Sequence, residues 1–530
     1  MIFRMKIKHK SQRLVSLFIL LSCCGVLYAD VQQKKGQLSL YQAVKSTLQD
    51  SLNIKLKELS VDIAKASEKT QAGAFDVNLS FSAQSDSSLI TKSPYELGLP
   101  VAANADYPRT LLDQDVHTLS TSVSKKFRNG ISASLSYVMT QLDHRIPDPL
   151  GVAIPTTNTT QFNFKVDIPL LKGSGKVSSA AAEVAAGYER RATEADYKHL
   201  VAQTILTTVN RYWDYVAAYS INAYLTKAKE TVDTWHRKAS NTDNKLLAGY
   251  RAEKQSRLIE SKKVMQASAI ALASAMGTQA SAMAKLGKPD IEGFPKHWRE
   301  ELKNLNMLAM TDSWTQIALQ NRKDIQALKI RVESAQTLLA RAKNDLDPSL
   351  NLSFGYGTEG FSYGNSAHDA WRAVYYKVRT PAYSGALVLN YPLGNDAAKG
   401  VYNSSFAAKE IAKLQLNEAI RQVKLSIHND ASVLITSRNK AIEADKSLKS
   451  YVTSMQTLVS QHSIDDLNDI NTLLTLQDRL DDAAAAYFNA LSDLANAIVN
   501  SRFEVGLLVS STQALDKDIN FKILTSLPEF

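Results

Sequence analysis

A strand-like segment that runs directly into a very long helical segment constrains the fold of this chain most strongly. Residues 161–168 alternate apolar and polar side chains without interruption, which is the pattern of a half-buried strand. A turn follows at 169–175, and residues 176–241 then contain no proline and a single glycine, Gly187. A helix of roughly 65 residues is about 100 Å long. No compact globular domain needs such a helix, so the fold must hold a strand at the end of a rod.

The same layout occurs twice, and corresponding residues are 271 positions apart: Ile54 and Ile325, Leu79 and Leu350. In each copy a helix, at about 40–73 and about 312–346, ends just before an alternating strand. A later strand ends near Pro169 or Pro392 and continues into a long helix, a break and another helix. We therefore predict an internal twofold repeat rather than two compact domains.

The strands have one apolar face and one face of small polar residues. Apolar residues alternate with serines at 79–82, and segments 350–356 and 387–391 follow a similar rule. This pattern suits a barrel wall with lipid outside and water inside. A strand of a soluble sandwich shows the same alternation, so the pattern alone does not choose between them.

The first copy carries an extra hairpin, in which 118–127 and 131–137 flank Asn129-Gly130, a pair typical of tight turns. The sequence leaves open whether this hairpin joins the wall or projects from it. Three segments that contain Pro, Gly and Asn are expected to form long loops at one rim: 90–115, 143–160 and 360–384.

The helical segments show coiled-coil spacing. Ile205, Val209, Tyr212 and Val216 are spaced by four, three and four residues, and 420–434 repeats the pattern. Such stripes indicate helices that pack against neighbouring helices. We expect the long helices to fold back near 247–250 and near 463–468.

The N-terminus resembles an export signal. Five basic residues precede and adjoin the apolar stretch 14–27, and Leu27-Tyr28-Ala29 is a plausible cleavage site. An uncleaved membrane anchor is the alternative, although the stretch is shorter than the ~20 residues that a spanning helix needs. Leu20-Leu21-Ser22-Cys23 is similar to a lipoprotein lipobox, so Cys23 is a candidate lipidation site unless cleavage follows Ala29.

The formal charge of +10 gives no reason to expect nucleic-acid binding. The signal holds five of the 62 basic residues and no acidic one, so 57 basic residues remain against 52 acidic ones. The remaining charges are dispersed, without a basic run or an aromatic-interleaved patch. After Ala29 no run of 18 apolar residues occurs, so an exported protein of this kind is either soluble or crosses a membrane as strands.

Nothing in the sequence points to an enzyme, a cofactor or a metal site. Gly173-Ser174-Gly175 lacks the rest of a phosphate-binding fingerprint, and there is no His-Glu-x-x-His motif. The nine histidines are scattered along the chain.

Taken together, the layout resembles the TolC family of outer-membrane efflux channels over essentially the whole chain after the signal. Four stretches carry the resemblance by their order, spacing and duplication: Pro-Leu-Leu-Lys-Gly-Ser-Gly at 169–175, Tyr-Trp-Asp at 212–214, Tyr-Pro-Leu-Gly-Asn at 391–395, and Leu-Leu-Thr-Leu-Gln-Asp-Arg-Leu at 473–480, which Ala483 and Tyr487 follow. The resemblance implies a mainly α fold with a membrane β-barrel. Three identical chains would share one barrel in the bacterial outer membrane, and their long coiled-coil helices would form a periplasmic tunnel. It also implies a periplasmic adaptor protein and an inner-membrane pump as partners.

The resemblance places the periplasmic mouth at the start of the last long helix. Two Asp residues line this mouth in well-known members, and the aligned positions here are Thr472 and Thr475. Asp465, Asp466 and Asp469 lie one or two turns nearer the tip. Three copies would place up to nine carboxylates around one opening, which would repel anions and attract cations. Alternatively, these acids begin a solvated helix, where free N–H groups and the helix dipole favour Asp.

Adaptors dock at the helix tips in this family. Candidate docking residues are Gly249, Tyr250 and Arg251 at the first tip, and Leu467 and Asn468 at the second. Gly249 is expected to supply a positive φ at the turn. The second tip has no glycine, which leaves the identity of the adaptor open.

We expect the chain to divide into five parts: a signal at 1–29, a first repeat at 30–286 with strands at about 76–170, a connector at 287–310, a second repeat at 311–509 with strands at about 349–391, and a tail at 510–530. We expect a duct for efflux or type I secretion that conducts substrates passively from a pump. The rival interpretation is an exported coiled-coil structural or adhesion protein, which explains the helices but not the repeated strand pair.

Overall fold

The structure, a computed structural model, describes eight ranges of the chain: 37–92, 110–144, 155–238, 244–278, 287–290, 307–375, 380–461 and 467–508. The expected signal with Cys23 and the expected tail lie outside these ranges, as does most of the connector.

Within these described ranges, six long strands form one antiparallel sheet, in which each strand pairs with the next one along the chain. The strands are Val77–Lys92 (β1), Thr110–Lys126 (β2), Ser132–His144 (β3), Thr157–Pro169 (β4), Ser349–Tyr363 (β5) and Thr380–Asn390 (β6). The extra hairpin is β2 and β3, and it pairs with β1 on one side and β4 on the other. It therefore joins the sheet.

Long helices make up most of the rest of the described chain. They are Leu40–Asp50 (α1), Leu52–Ala72 (α2), Ala181–Lys238 (α3), Asn244–Ala275 (α4), Met307–Asn321 (α5), Lys323–Asn344 (α6), Ala367–Tyr375 (α7), Asp396–Gln461 (α8) and Leu467–Glu504 (α9). The rod predicted after the Pro169 turn is confirmed: α3 is 58 residues long, and a single helical turn of four residues, Lys176–Ser179, precedes it. None of the helices in the described ranges is long and apolar enough to span a membrane.

The twofold repeat is visible as a pair of equivalent helix breaks. Ser51 separates α1 from α2, and Arg322 separates α5 from α6, so each helix predicted before a strand is in fact two helices. The two residues are 271 positions apart and have nearly the same backbone angles, φ −61° and ψ 118° against φ −61° and ψ 123°. Gly277 and Gly506 end the shorter helix of each hairpin and pack against these two breaks.

The first long helical hairpin folds back earlier than the sequence indicated. Because α3 ends at Lys238 and α4 begins at Asn244, residues 247–250 lie inside α4, and the prediction of a turn there is wrong. Gly249 does not have the expected positive φ. A glycine inside a helix costs only about 1 kcal/mol relative to alanine, and burial of Leu247 and Tyr250 outweighs this cost. In the second hairpin, α8 ends at Gln461 and α9 begins at Leu467, as expected.

The segment 360–384 is not the loop that its composition suggested. It contains the end of β5, all of α7 and the start of β6. Helix α7 packs on β4 and β5, and its backbone at Ala373 comes so close to Gly360 that a side chain there would clash. The other two expected loops are shorter than predicted, because β1 to β4 extend into them.

Four helices lie side by side at each level of the helical part. Next to the sheet the order is α2, α3, α6 and α8, and farther from the sheet it is α4, α3, α9 and α8. Two apolar cores hold these layers together, one around Tyr212 and Trp213 and one around Trp314.

Candidate functional site

An exposed apolar belt crosses all six strands on one face of the sheet. Paired residues in one continuous row are Leu79, Val123, Leu135, Phe164, Tyr356 and Tyr383. Their exposed fractions lie between 39% and 80%. Leaving such side chains in water forfeits about 1.5–3 kcal/mol each, so this face is built for a non-aqueous surrounding.

The opposite face of the same sheet is polar and small. The neighbouring row consists of Ser80, Ser122, Ser136, Asn163, Gly357 and Ala382. The hydroxyl oxygens of Ser80 and Ser122 are 2.7 Å apart, and those of Ser82 and Ser120 are 2.8 Å apart. Toward the loop end, the apolar face itself becomes polar in one row: Ser85, His117, Gln141, Asn158 and Ser362. The belt therefore has a defined edge.

The far ends of the helices, called the tips here, pack around a small apolar cluster. Val232 and Trp235 of α3, Leu247 and Tyr250 of α4, and Ile470 and Leu474 of α9 form this cluster, and Met455 of α8 packs against it. All four long helices thus contribute, so the two helical hairpins are joined close to their tips.

A buried ion cluster lies beside this apolar cluster. The Lys254 ammonium on α4 donates to carboxylate oxygens of Asp478 and Asp481 on α9, at 2.5 Å each. Lys254 and Asp481 are both only 3% exposed. Gln477 donates to Asp481 at 2.6 Å, and Tyr250 donates its hydroxyl to Asp478 at 3.0 Å. Burial, together with the Asp478 carboxylate, raises the pKa of Tyr250, so its phenol stays protonated and available as a donor.

This cluster joins the two hairpins through charge as well as through apolar contact. A buried ion pair is held only if each charge keeps its partners, because an unpaired charge in the interior costs several kcal/mol. Any separation of α4 from α9 would expose or unpair Lys254 and Asp481. The tips are therefore coupled, and their relative movement is costly.

Of the mouth residues predicted from the sequence, Thr472 and Thr475 are exposed on α9. Leu467, Asn468 and Asp469 lie in the first turn of α9, and Asp465 and Asp466 fall outside the described ranges.

The predicted docking residues of the first tip do not share one surface. Gly249 and Arg251 are exposed, but Tyr250 is buried and its hydroxyl also donates to the Leu474 carbonyl at 3.0 Å. Arg251 donates to Asp233 of α3 at 2.6 Å. Lys229 and Arg251 lower the pKa of the Asp233 carboxyl.

Sequence reasoning missed Lys254, Asp478 and Asp481. A signal was present, because Lys254 continues the apolar stripe of Leu247 and Tyr250 at helical spacing. A charged residue in such a stripe needs a buried partner. Asp478 lies within the stretch 473–480 that carries the family resemblance, and Asp481 directly follows that stretch. Within the described ranges, no group of three or more His, Cys or acidic side chains is arranged to hold a metal ion.

Comparison with known proteins gives no match to any protein-family model or to any curated protein sequence. Solved structures, by contrast, match along most of the chain. The CmeC outer membrane channel of Campylobacter jejuni is 15% identical, with 92% of this chain and 90% of that chain covered and a TM-score of 0.59. The outer membrane protein VceC of Vibrio cholerae is 15% identical, with coverage of 88% and 96% and a TM-score of 0.58.

A third match is the MtrE outer membrane channel of Neisseria gonorrhoeae, at 11% identity, with coverage of 88% and 89% and a TM-score of 0.56. Matches at this level of identity indicate a shared fold, but they do not indicate which substrates a protein conducts. This chain therefore has the TolC-type fold that these outer-membrane channels share.

Proposed function

We propose that this protein is an outer-membrane channel that conducts substrates passively, with its sheet in the membrane and its helices in the periplasm. The observation that carries the proposal is the apolar belt, which crosses all six strands and has a polar face behind it. This is the arrangement of a barrel wall between lipid and water. The TolC-type fold supports the same function.

We infer further that three copies assemble into one ring. Strands β1 and β6 are the two edges of the sheet, they are not paired with each other, and nearly all their described residues are exposed. Long exposed edges invite pairing with another chain. One copy's β1 and the next copy's β6 run in opposite directions, so the antiparallel pattern continues across the joint.

Two unpartnered helix stripes lie along the same two edges. On α2, Ile54 and Val61 are buried, while the opposite face carries exposed apolar residues at coiled-coil spacing: Leu52, Leu56, Leu59 and Ile63. On α8, the face opposite the buried stripe carries Ile411, Leu414 and Leu425, all more than half exposed. Since α2 leads into β1 and α8 follows β6, strand edge and helix stripe form one continuous joint between copies.

The wider assembly follows from the same proposal. A periplasmic adaptor would engage the tips, with Gly249, Arg251, Leu467 and Asn468 as candidate contacts, and an inner-membrane pump would supply the energy. The cargo is that of an efflux or type I secretion system. The acidic mouth formed by Asp465, Asp466 and Asp469 would favour cations.

The test is single-channel conductance of detergent-purified protein in planar bilayers. Wild type is compared with the triple variant Asp465→Asn/Asp466→Asn/Asp469→Asn, and Asp62→Asn/Asp445→Asn serves as a control that removes acids from α2 and α8 far from the tips. We expect pores whose cation preference falls in the triple variant only.

Pores with unchanged selectivity would retain the channel and remove the acidic mouth. A protein that stays in solution without detergent and forms no pores would overturn the channel and leave an exported coiled-coil rod.

A further inference from the structure

The hairpin β2–β3 has the surface pattern of a barrel wall. On the belt side it carries Val123, Leu135 and Tyr137, and on the other side it carries serines. The serines are Ser120, Ser122, Ser124, Ser132, Ser134 and Ser136. A projecting hairpin surrounded by water would have no reason to keep one apolar face in register with the belt of β1 and β4.

The turn of this hairpin is fixed between two helices. Arg128 donates two hydrogen bonds, of 2.7 and 2.6 Å, to Glu183 at the start of α3. Its guanidinium also lies 5.0 Å from the ring centre of Phe75, which follows α2. The Gly175 amide donates to the Asn129 carbonyl at 3.0 Å. The turn of the hairpin therefore contacts both the end of α2 and the start of α3.

The stagger of the strands is that of a barrel. The row of paired residues that starts at Val77, the first residue of β1, reaches Gly385 in β6. This row crosses five steps from strand to strand. Strand β6 continues five residues beyond Gly385 to its end at Asn390, so the strand ends shift by about one residue per step. A shift of one residue, about 3.3 Å, per strand spacing of about 4.8 Å corresponds to a tilt of about 35°, which lies in the range that barrels use.

The width of the sheet matches the width of the helical layer only if the hairpin is counted. At this tilt, six strands span about 35 Å of circumference, whereas four strands span about 23 Å. Four helices at 8–10 Å spacing span about 32–40 Å. A wall of six strands per copy therefore continues the four-helix layer of each copy without a reduction in bore.

We propose that three copies close a single barrel of eighteen strands, three times six, in which β2–β3 is part of the wall of every copy. This inference rests on the proposed channel and its threefold ring. Such a barrel is about 34 Å across between backbones, against about 22 Å for twelve strands. The exit is then as wide as the helical tunnel, which suits bulky cargo.

Engineered cysteine pairs on the lumen side test the wall directly in full-length protein. The chain has two cysteines of its own, Cys23 and Cys24. Cys24→Ser is included because lipidation at Cys23 would leave Cys24 as a free thiol. The pair Ser82→Cys/Ser120→Cys joins β1 to β2, which are direct neighbours. The pair Ser82→Cys/Gln161→Cys lies in the same row but joins β1 to β4, which are neighbours only if the hairpin leaves the wall. For the joint between copies, Ser80→Cys is combined in turn with Ala382→Cys, Ser384→Cys and Ala386→Cys.

After oxidation of the detergent-purified ring, we expect a disulfide within the chain for the β1–β2 pair and none for the β1–β4 pair. At least one joint pair is expected to give covalent dimers and trimers in denaturing gels. End-on electron microscopy is expected to show a barrel close to the eighteen-strand diameter.

A disulfide for the β1–β4 pair, or a barrel close to the twelve-strand diameter, would overturn the inference while leaving the channel in place. The absence of dimers and trimers from all three joint pairs in a detergent-extracted ring would also overturn it. Protein that needs no detergent and forms no ring would instead contradict the proposed function.

Discussion

Lys254 shows how one side chain ties together two parts of this molecule. Its ammonium on α4 is bound by two carboxylates of α9, and the three groups lie next to the apolar cluster of the tips. Because these partners are more than 220 positions away in sequence, the pair stabilises the contact between the hairpins rather than either helix alone.

Replacing Lys254 is expected to be costly. Lys254→Ala leaves the buried Asp481 carboxylate without its cation, and such a loss costs about 3–5 kcal/mol. The matched control is Lys263→Ala on the same helix, where the side chain is 75% exposed and pairs with Glu260 at 3.1 Å. That exposed pair is worth about 0–1 kcal/mol. Thermal unfolding in detergent measures the difference, and equal melting temperatures for the two variants would contradict the role of the cluster.

Asp430 on α8 is expected to make stability depend on pH. Burial and the nearby Glu504 carboxylate raise its pKa to about 6, against ~3.9 in an unfolded chain. A carboxyl whose pKa is raised by folding contributes its full stabilisation when the pH is below the pKa of the unfolded chain. This contribution is lost as the pH rises through the folded pKa of about 6. Asp430→Asn should therefore raise the melting temperature at pH 7.5 and change it much less at pH 4.5.

The control for this prediction is Asp62→Asn, because the Asp62 side chain on α2 is 60% exposed. It should change the melting temperature little at either pH. A gain for Asp430→Asn that is equal at both pH values would show that charge is not its cause.

At the scale of elements, two joints hold the repeats in shape. Gly277 and Gly506 have φ of 71° and 78°, and each ends a helix whose next amide turns back to a carbonyl five residues earlier. A Cβ on Gly277 would lie 2.9 Å from the Asp50 backbone, and one on Gly506 would lie 2.8 Å from the Arg322 amide. The close approach at the helix breaks is thus possible only with glycine.

Three glycine substitutions test how these two joints differ from an ordinary position inside a helix. Gly277→Ala and Gly506→Ala combine a left-handed φ with a backbone clash, and each should destabilise the protein by at least about 1–2 kcal/mol. Gly249→Ala should instead stabilise it by about 0.5–1 kcal/mol, because Gly249 lies within α4 and a Cβ there meets no atom within 4 Å. Unfolding of the three variants measures these signs, and a destabilised Gly249→Ala would contradict the helical placement.

The whole molecule is divided between two surroundings by the faces of its sheet. The belt and the serine face alternate residue by residue along each strand, so neighbouring positions report on different surroundings. Leu79 and Ser80 are adjacent in β1 and are both exposed in the single chain, so they differ mainly in the face that they occupy.

Leu79 and Ser80 provide the corresponding matched pair. Leu79→Arg places a charge in the belt, where a lipid-facing Arg costs up to about 2–4 kcal/mol. Ser80→Arg places the same charge on the polar face and should be tolerated. The yield of heat-resistant trimers from outer membranes is expected to fall for Leu79→Arg only. A similar yield for both variants would contradict the assignment of the belt to lipid.

The sequence alone was sufficient for the features that periodicity records. Alternation identified the strands and their two faces, heptad spacing identified the long helices, and the correspondence of Ile54 with Ile325 revealed the repeat. Each of these patterns reflects whether a side chain faces the core, lipid or water at its own position. The sequence also predicted the chain reversal between α8 and α9, because a polar, helix-breaking stretch separates two apolar stripes there.

Only the tertiary structure decided the features that depend on distant partners. It placed β2–β3 inside the sheet, because strand pairing is a choice among edges that local pattern does not encode. It broke the helices at Ser51 and Arg322, where a packed glycine rather than a local breaker acts, and it kept Gly249 helical through the burial of its neighbours. It also paired Lys254 with Asp481, since a buried charge is stable only where the fold brings its counter-charge within reach.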